Sequence, residues 1–99
     1  MKKRGEKMKI YSIKTTLPFS KLAPQTAQNL SSNAFILWCA FYVAGQAQAS
    51  FDITPQMITK QWGMSRATYY RMLTELQEKR YLIPDRDNYI FYEHPINKE

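Results

Sequence analysis

Residues 53–73 read ITPQMITKQWGMSRATYYRML, and this stretch predicts two helices joined by a tight turn. Thr54 can cap a helix that begins at Pro55, where the missing N–H of proline costs no hydrogen bond. Gly63 is expected to end this short helix, because glycine adopts the left-handed conformation without strain. Ser65 is then placed to cap a second, longer helix.

The second helix, expected over about residues 66–79, has two unlike faces. At about 100° per residue, one stripe is predicted to pack inward, and it consists of Tyr69, Leu73, Leu76 and Arg80. The opposite face carries Ala67, Tyr70, Arg71, Thr74 and Glu78, with Arg66 and Thr68 on its flanks. The sequence therefore predicts a helix with one buried face and one polar face.

An apolar helix is predicted upstream, over Asn33–Ala44, with Ser31 or Ser32 as its cap and Gly45 as its stop. All eleven residues from 34 to 44 are apolar, so the helix is apolar around nearly its whole circumference. A surface helix would show only an apolar stripe. Two coverings remain open for its far side. One is the N-terminal arm, and the other is a second copy of the chain, which would make a homodimer through helix 34–44.

The segments on either side of the helix pair predict a loop and a hairpin. Residues 45–51 are small and polar apart from their last position, which is typical of a loop. Residues 81–84 and 89–93 are rich in β-prone and aromatic side chains, and they flank four turn-forming residues, 85–88. This pattern predicts a β-hairpin near the C-terminus.

The N-terminal region gives weaker signals. Residues 9–14 alternate imperfectly between polar and apolar side chains, which predicts a short strand at a sheet edge. Residues 17–28 are interrupted by Pro18 and Pro24 and predict an irregular arm, in which a turn of helix can follow Pro24. The expected organisation is a basic tail and irregular arm over 1–29, a folded domain over 30–93 and a C-terminal tail over 94–99.

Composition excludes several classes of function. With 99 residues, of which 44% are hydrophobic, the chain can fill one core and is expected to be a single domain. One cysteine and one histidine leave no disulfide framework, thiolate zinc site or histidine-relayed triad, and no Gly-rich phosphate loop is present. No apolar run reaches the roughly 18 residues of a membrane span. We therefore expect a cytoplasmic protein that is not an enzyme and has no metal or cofactor.

The positive charge is concentrated at the N-terminus. The chain has a net charge of +6, and residues 1–14 hold six basic side chains against one acidic one. A basic tail on a nearly neutral body attracts polyanions by releasing their counterions, whatever their sequence. A solubilising tail would have the same composition, so charge alone leaves both readings open.

The order of the expected elements is a long helix, a short helix, a Gly-containing turn, a polar-faced helix and a β-hairpin. Together with the capping Ser65 and the Thr-aromatic-x-Arg-x-Leu pattern of residues 68–73, this order resembles the winged helix-turn-helix domains of DNA-binding regulators. The resemblance covers roughly residues 30–93 and is nearest to small phage and plasmid control proteins. It implies an α+β, mostly helical fold of three helices plus a C-terminal hairpin wing. Arg80 departs from the family, which often has a glycine there.

The resemblance implies a double-stranded DNA-binding protein that acts by occupying its site, as a small transcriptional regulator or as a replication or transfer accessory factor of a mobile element. The residues expected to contact DNA are Ser65, Arg66, Thr68, Tyr70, Arg71, Thr74, Lys60, Arg86, Lys2, Lys3 and Arg4. A hydroxyl and free N–H groups at a helix start can hold a phosphate. Arginine can fork onto a phosphate or a guanine edge, and Arg86 at the hairpin tip can reach a minor groove or the backbone.

Competing interpretations remain for several of these residues. Arg71 could pair with Glu75 or Glu78 on the same helix rather than with DNA. Trp62 is expected to anchor the core or the turn. Because the helix surface is only mildly basic outside the tail, the domain could instead be a winged-helix protein-interaction module without specific DNA binding.

Overall fold

The computed structural model describes residues 7–95, which form four helices and a four-stranded mixed sheet. In chain order the elements are β1 (Met8–Ile13), α1 (Phe19–Asn29), α2 (Ser32–Ala47), β2 (Ser50–Ile53), α3 (Pro55–Trp62), α4 (Arg66–Glu78), β3 (Leu82–Asp85) and β4 (Asn88–Tyr92). The expected α+β class is therefore confirmed. The expected arrangement of three helices, a hairpin and an N-terminal edge strand differs from the observed topology, because residues 7–95 hold one more helix, α1, and one more strand, β2. Within this part of the chain, no helix combines the length and hydropathy needed to cross a membrane.

β1 lies inside the sheet rather than at its edge. The strand order is β2-β1-β4-β3, and β1 runs antiparallel to β2 and parallel to β4. Met8 and Ile10 point to the inner face and are buried, whereas Tyr11 and Ile13 remain exposed on the outer face. The sequence predicts an edge position for β1 only because its neighbour β2 is not recognised as a strand. With four residues, β2 is too short to show a clear alternation.

The C-terminal hairpin is confirmed. β3 and β4 pair antiparallel, and Asp85 opposite Asn88 closes a two-residue turn. The first turn residue, Arg86, has a φ of 60°, which is left-handed backbone. Two-residue hairpin turns need this conformation, and glycine usually supplies it.

The arm expected to be irregular contains α1. Pro18 is the residue before the helix, and Pro24 lies inside it, where it removes one backbone hydrogen bond. Tertiary packing offsets this loss, because Leu22 and Thr26 are almost completely buried. The Thr26 hydroxyl also donates to the Leu22 carbonyl at 2.9 Å. Pro18 thus precedes the start of α1 and Pro24 breaks one of its hydrogen bonds, while packing against the core keeps the helix formed.

α2 continues past the glycine that was expected to end it. Ser31 caps the helix, with its Oγ accepting from the Ala34 N–H at 3.3 Å, and the helix ends only at Ala47. Gly45 is buried, and a Cβ placed there would lie 2.6 Å from Ser12 Oγ. Glycine is therefore needed because β1 crosses very close to α2. Lys14 Nζ donates to the Gly45 carbonyl at 2.7 Å, and this hydrogen bond also holds the end of β1 against α2.

The helix pair of residues 55–78 forms as the sequence predicts. Thr54 caps α3 through the Met57 N–H, Gly63 ends it at a φ of 73°, and Ser65 caps α4. On α4, the inward stripe is confirmed for its three apolar members, which are Tyr69, Leu73 and Leu76. Its fourth expected member, Arg80, lies beyond the helix and is exposed at a φ of 71°. Trp62 was expected to anchor the core or the turn; 36% of its surface is exposed, so it is not a core residue, and it lies at the end of α3 directly before the turn at Gly63.

The chain itself covers most of the apolar α2. Phe41 packs edge-on against Phe91 of β4, with ring centroids 5.5 Å apart. On another side, Phe19 of α1 packs against Tyr42, with ring centroids 5.1 Å apart. On the remaining side of α2, Val43 and Ala47 are exposed, whereas Ile36 and Cys39 are half-buried and pack against the core.

Candidate nucleic-acid interface

The outer face of α4 is open to solvent. Among the α4-region residues expected to contact DNA, five are exposed, namely Ser65, Arg66, Tyr70, Arg71 and Thr74. Thr68 is half-buried between them, and Lys60 is exposed on the preceding helix α3. The inward stripe of α4 holds the helix against the core, so this outer face is fixed in orientation.

A chain of hydrogen bonds links three of these residues at the start of α4. Ser65 Oγ donates to Thr68 Oγ1 at 3.0 Å, while the Thr68 N–H donates back to Ser65 Oγ at 3.2 Å. Arg71 Nη2 donates to the same Thr68 Oγ1 at 3.3 Å. The guanidinium is therefore drawn toward the N-terminal end of the helix, where the helix dipole favours an anion.

Glu75 does not neutralise Arg71, although the two residues are one helical turn apart. Its carboxylate accepts from the Ser31 N–H and from the Ser31 hydroxyl, both at 2.8 Å. Its Oε2 also lies 4.0 Å from Lys79 Nζ. Within residues 7–95, the hydrogen bond of the Arg71 side chain is the one to Thr68, and no ion pair joins Arg71 to Glu75 or Glu78. The intrahelical pairing considered from the sequence is thus not formed.

The hairpin lies beside this face of α4. A groove of about 550 Å³ runs along one flank of α4, between the helix and the hairpin. Its lining residues are Tyr70, Leu73 and Gln77 of the helix, Asp87 and Tyr89 of the hairpin, and Lys7 and Met8 at the start of β1. Arg86, at the exposed tip of the hairpin between two exposed aspartates, does not line this groove. It lines a second groove, of about 560 Å³, together with Tyr11 and Ile13 on the outer face of the sheet. The α4 groove therefore brings the helix together with Asp87 and Tyr89 of the hairpin, but not with Arg86.

Of the residues that line this groove, sequence reasoning expected only Tyr70 to be a contact, and Gln77 and Tyr89 are among those it missed. Gln77 follows Tyr70 by seven positions, which places both on one flank of a helix, so the helical period could have identified it. Tyr89 could not have been found this way, because its place beside α4 depends on the pairing of β4 with β1.

Other expected contacts have separate outcomes. Lys2, Lys3 and Arg4 lie outside the described residues. Lys79, at the far end of α4, donates to the Asn29 carbonyl at 2.6 Å, so this cation is held by the chain itself.

The described residues offer little to a metal ion or to covalent chemistry. No group of three or more His, Cys, Asp or Glu side chains comes together within residues 7–95. Burial raises the pKa of the Cys39 thiol, which keeps it protonated near neutral pH and lowers its reactivity. The arrangement on α4 is suited to holding an anionic surface by hydrogen bonds and charge.

Comparisons with known proteins add no assignment. No family model, curated protein or solved structure matches this chain.

Proposed function

We propose that this protein binds double-stranded DNA, with α4 in the major groove and the β3–β4 hairpin on the adjacent backbone. It would act by occupying its site, as a small transcriptional regulator or as a replication or transfer accessory factor of a mobile element. The order α2-β2-α3-α4-β3-β4 resembles that of a winged helix-turn-helix domain and supports this proposal. The added β1 and α1 lie outside that order.

The observation that carries the proposal is the linked group Ser65, Thr68 and Arg71. These residues present a guanidinium and two hydroxyls on one exposed face, and the nearest carboxylate on the helix, Glu75, is bound elsewhere. Within residues 7–95, the Arg71 guanidinium has no acidic partner, so its charge is available to an external anion. Holding it in place lowers the entropy lost when an anion binds.

The dimensions and chemistry of duplex DNA match this surface. A helix with its side chains is about as wide as the major groove, which is about 12 Å across. Residues in the first turns of such a helix reach base edges, while capping groups and hydroxyls hold phosphates. Arg71 is placed to fork onto a guanine edge or a phosphate, and Thr68 and Thr74 are placed to flank it. The basic N-terminal residues add attraction that does not depend on sequence.

The test begins with selection of a preferred duplex from a random library, followed by binding measured by fluorescence polarisation. We expect Arg71→Ala to weaken binding to the selected duplex by about 5- to 100-fold, as for the loss of one bidentate base or phosphate contact. If Arg71 binds a phosphate, the slope of log K against log salt also falls by about 1. The matched control is Lys21→Ala, which removes one exposed charge on α1 and should leave affinity for the selected duplex nearly unchanged.

Two results would contradict this prediction. The first is a selection that enriches no duplex. The second is an Arg71→Ala variant that folds as the wild type and binds as tightly as Lys21→Ala. The second result, together with loss of a protein partner, would favour the protein-interaction module instead.

A second variant tests the hairpin tip through opposite effects on stability and binding. A residue with a side chain pays about 1–2 kcal/mol for the left-handed backbone at Arg86, and Arg86→Gly removes this cost. Glycine also makes the unfolded chain more flexible, which lowers the free energy of unfolding by about 0.4–1 kcal/mol. We expect a net gain of about 0.5–1 kcal/mol in the free energy of unfolding. DNA affinity should fall several-fold, because a phosphate contact is lost.

The control for this variant is Arg86→Ala, which removes the same charge and keeps the strained backbone. It should weaken binding as much as Arg86→Gly does, without gaining stability. Chemical denaturation and polarisation measure the two effects separately. Unchanged affinity in both variants would show that the hairpin tip does not contact DNA.

A further inference from the structure

The outer face of the sheet is open and largely apolar. The inner face packs on the core, where Ile10 and Phe91 are completely buried. On the outer face of β1, by contrast, Tyr11 is 40% exposed and Ile13 is 46% exposed. The strand register places three more large side chains beside these two, all of them half-buried, namely Ile83, Ile90 and Tyr92. A contiguous apolar surface of this kind marks a binding site more often than an isolated exposed side chain does.

The groove of about 560 Å³ on this face, which we call the outer groove, combines apolar and polar chemistry. Its apolar lining comes from β1 and β4, and its polar lining comes from the hairpin turn: Tyr11, Ile13, Ile90, Asp85, Arg86 and Asn88. Within residues 7–95, Arg86 forms no ion pair with either neighbouring aspartate. The outer groove therefore offers an exposed aromatic ring beside an available guanidinium, a carboxylate and an amide.

This combination matches an unpaired nucleobase and its phosphate. Exposed aromatic rings on a protein surface stack on single-stranded bases, and arginine holds phosphates by charge-assisted hydrogen bonds. A carboxylate such as that of Asp85 can accept from the amino group of cytosine, and an asparagine such as Asn88 can form two hydrogen bonds with adenine. An apolar peptide in the same groove would cover these polar groups without satisfying them, which is costly.

Charge sets the orientation of the nucleotide in the outer groove. Toward the β2 edge of the sheet, Lys9 is paired with Asp52 at 3.8 Å, so that side is nearly neutral. Arg86 is the cation that lines the groove, and it lies at the hairpin tip. The phosphate is therefore expected at the tip and the base toward Tyr11.

We propose that the outer groove binds single-stranded DNA, with one base stacked on Tyr11 and a phosphate held by Arg86. This site is distinct from the α4 groove, because the two lie on opposite faces of the hairpin. Tyr89 lines the α4 groove, whereas its neighbours Asn88 and Ile90 line the outer groove. The choice of DNA over RNA rests on the function proposed above, while the stacking site itself does not.

Fluorescence polarisation with a labelled single-stranded DNA of about 12 nucleotides tests the proposal. Its sequence alternates C and A, so that it does not pair with itself and every base carries an amino group. We expect Tyr11→Ala to weaken binding by about 5- to 150-fold, as for the loss of one stacked base. Tyr11→Phe keeps the ring and should bind as wild type does. The matched control is Tyr70→Ala, which removes an equally exposed tyrosine (39%) from α4 and should leave binding of this oligonucleotide unchanged.

Four results would overturn the proposal, with circular dichroism confirming that each variant is folded. The first is a wild type that does not bind the oligonucleotide. The second is a Tyr11→Ala variant that binds it as tightly as wild type, which would assign binding to the basic N-terminal residues. The third is an equal loss in Tyr70→Ala, which would assign binding to α4. The fourth is an RNA of the same sequence bound at least about 10-fold more tightly than the DNA, which would overturn the choice of DNA.

The same variants separate this site from the duplex site. Tyr11→Ala should bind the selected duplex as wild type does, because Tyr11 lies outside the α4 groove. If no duplex is selected while Tyr11→Ala alone loses the single strand, the outer groove is supported and the duplex function fails. If the duplex binds and the Tyr11 variants do not differ in binding the single strand, the outer groove fails and the duplex function stands.

Discussion

Replacing Ile10 by alanine is expected to lower the free energy of unfolding by about 2–5 kcal/mol, a large part of the stability of a domain this size. Ile10 is completely buried in the central strand β1, opposite Phe51 of β2 and Tyr89 of β4. The truncation removes three methyl or methylene carbons from a site that neighbours on two strands keep rigid. Urea denaturation followed by circular dichroism measures the change.

Ile13→Ala is the matched control, because it makes the same chemical change on the outer face of the same strand. With 46% of its surface exposed, Ile13 should contribute less than about 1 kcal/mol. Equal losses for the two variants would contradict the central position of β1. The comparison also tests whether the first strand belongs to the folded domain, since an N-terminal arm outside the core would tolerate both changes.

Glu93→Ala is expected to lower the free energy of unfolding by about 2–3 kcal/mol, or the melting temperature by about 10–20 °C. Glu93 is 2% exposed, and its two carboxylate oxygens have separate donors. Oε1 accepts from the Thr15 N–H at 3.1 Å, and Oε2 accepts from Gln46 Nε2 at 2.9 Å. The alanine variant leaves both donors without an acceptor in a partly buried place.

Glu93→Gln separates hydrogen bonding from charge. The new amide oxygen can accept from Thr15, and the Gln46 amide can rotate to accept from the new NH₂ group, so the loss should stay below about 1 kcal/mol. Burial raises the pKa of the Tyr42 phenol, and the Glu93 charge raises it further. Both variants should therefore lower the pKa of Tyr42 in an ultraviolet titration. A Glu93→Ala variant as stable as wild type would contradict the role of this carboxylate.

The part of the fold that local chemistry determines was predictable. Thr54, Gly63 and Ser65 act within one turn of their own position, as a cap, a stop and a second cap, and each was assigned correctly. The hairpin was predictable for the same reason, because its turn joins adjacent residues.

Features that depend on distant partners were not predictable. Gly45 looked like a helix stop, and only the approach of Ser12, 33 positions earlier, explains why a glycine lies inside α2. Pro24 indicated an irregular arm, and only the burial of Leu22 and Thr26 shows why the helix persists there. In both cases tertiary contact overrides the local preference.

In the candidate site, too, the sequence predicts the local features but not those that depend on distant residues. Helical periodicity located its exposed face, including Tyr70 and Arg71. Periodicity left open whether Glu75 would neutralise Arg71, because the competing partner, Ser31, lies 44 positions away in the chain. Sequence thus identifies the surface, whereas the fold determines which of its charges remain available.

The parallel pairing of β1 with β4 joins the first and last strands of the described residues. Ile10 pairs with Tyr89, and between them lie every helix and both other strands. Such a high contact order predicts folding in milliseconds to seconds rather than microseconds. The chain between β1 and β4 must lose most of its conformational entropy before the pairing of the two strands stabilises the fold. During synthesis, β1 emerges first and must wait for β4. Until β4 leaves the ribosome, the apolar inner side of β1 lacks its neighbour, so the nascent chain completes this sheet only after residues 88–92 have emerged.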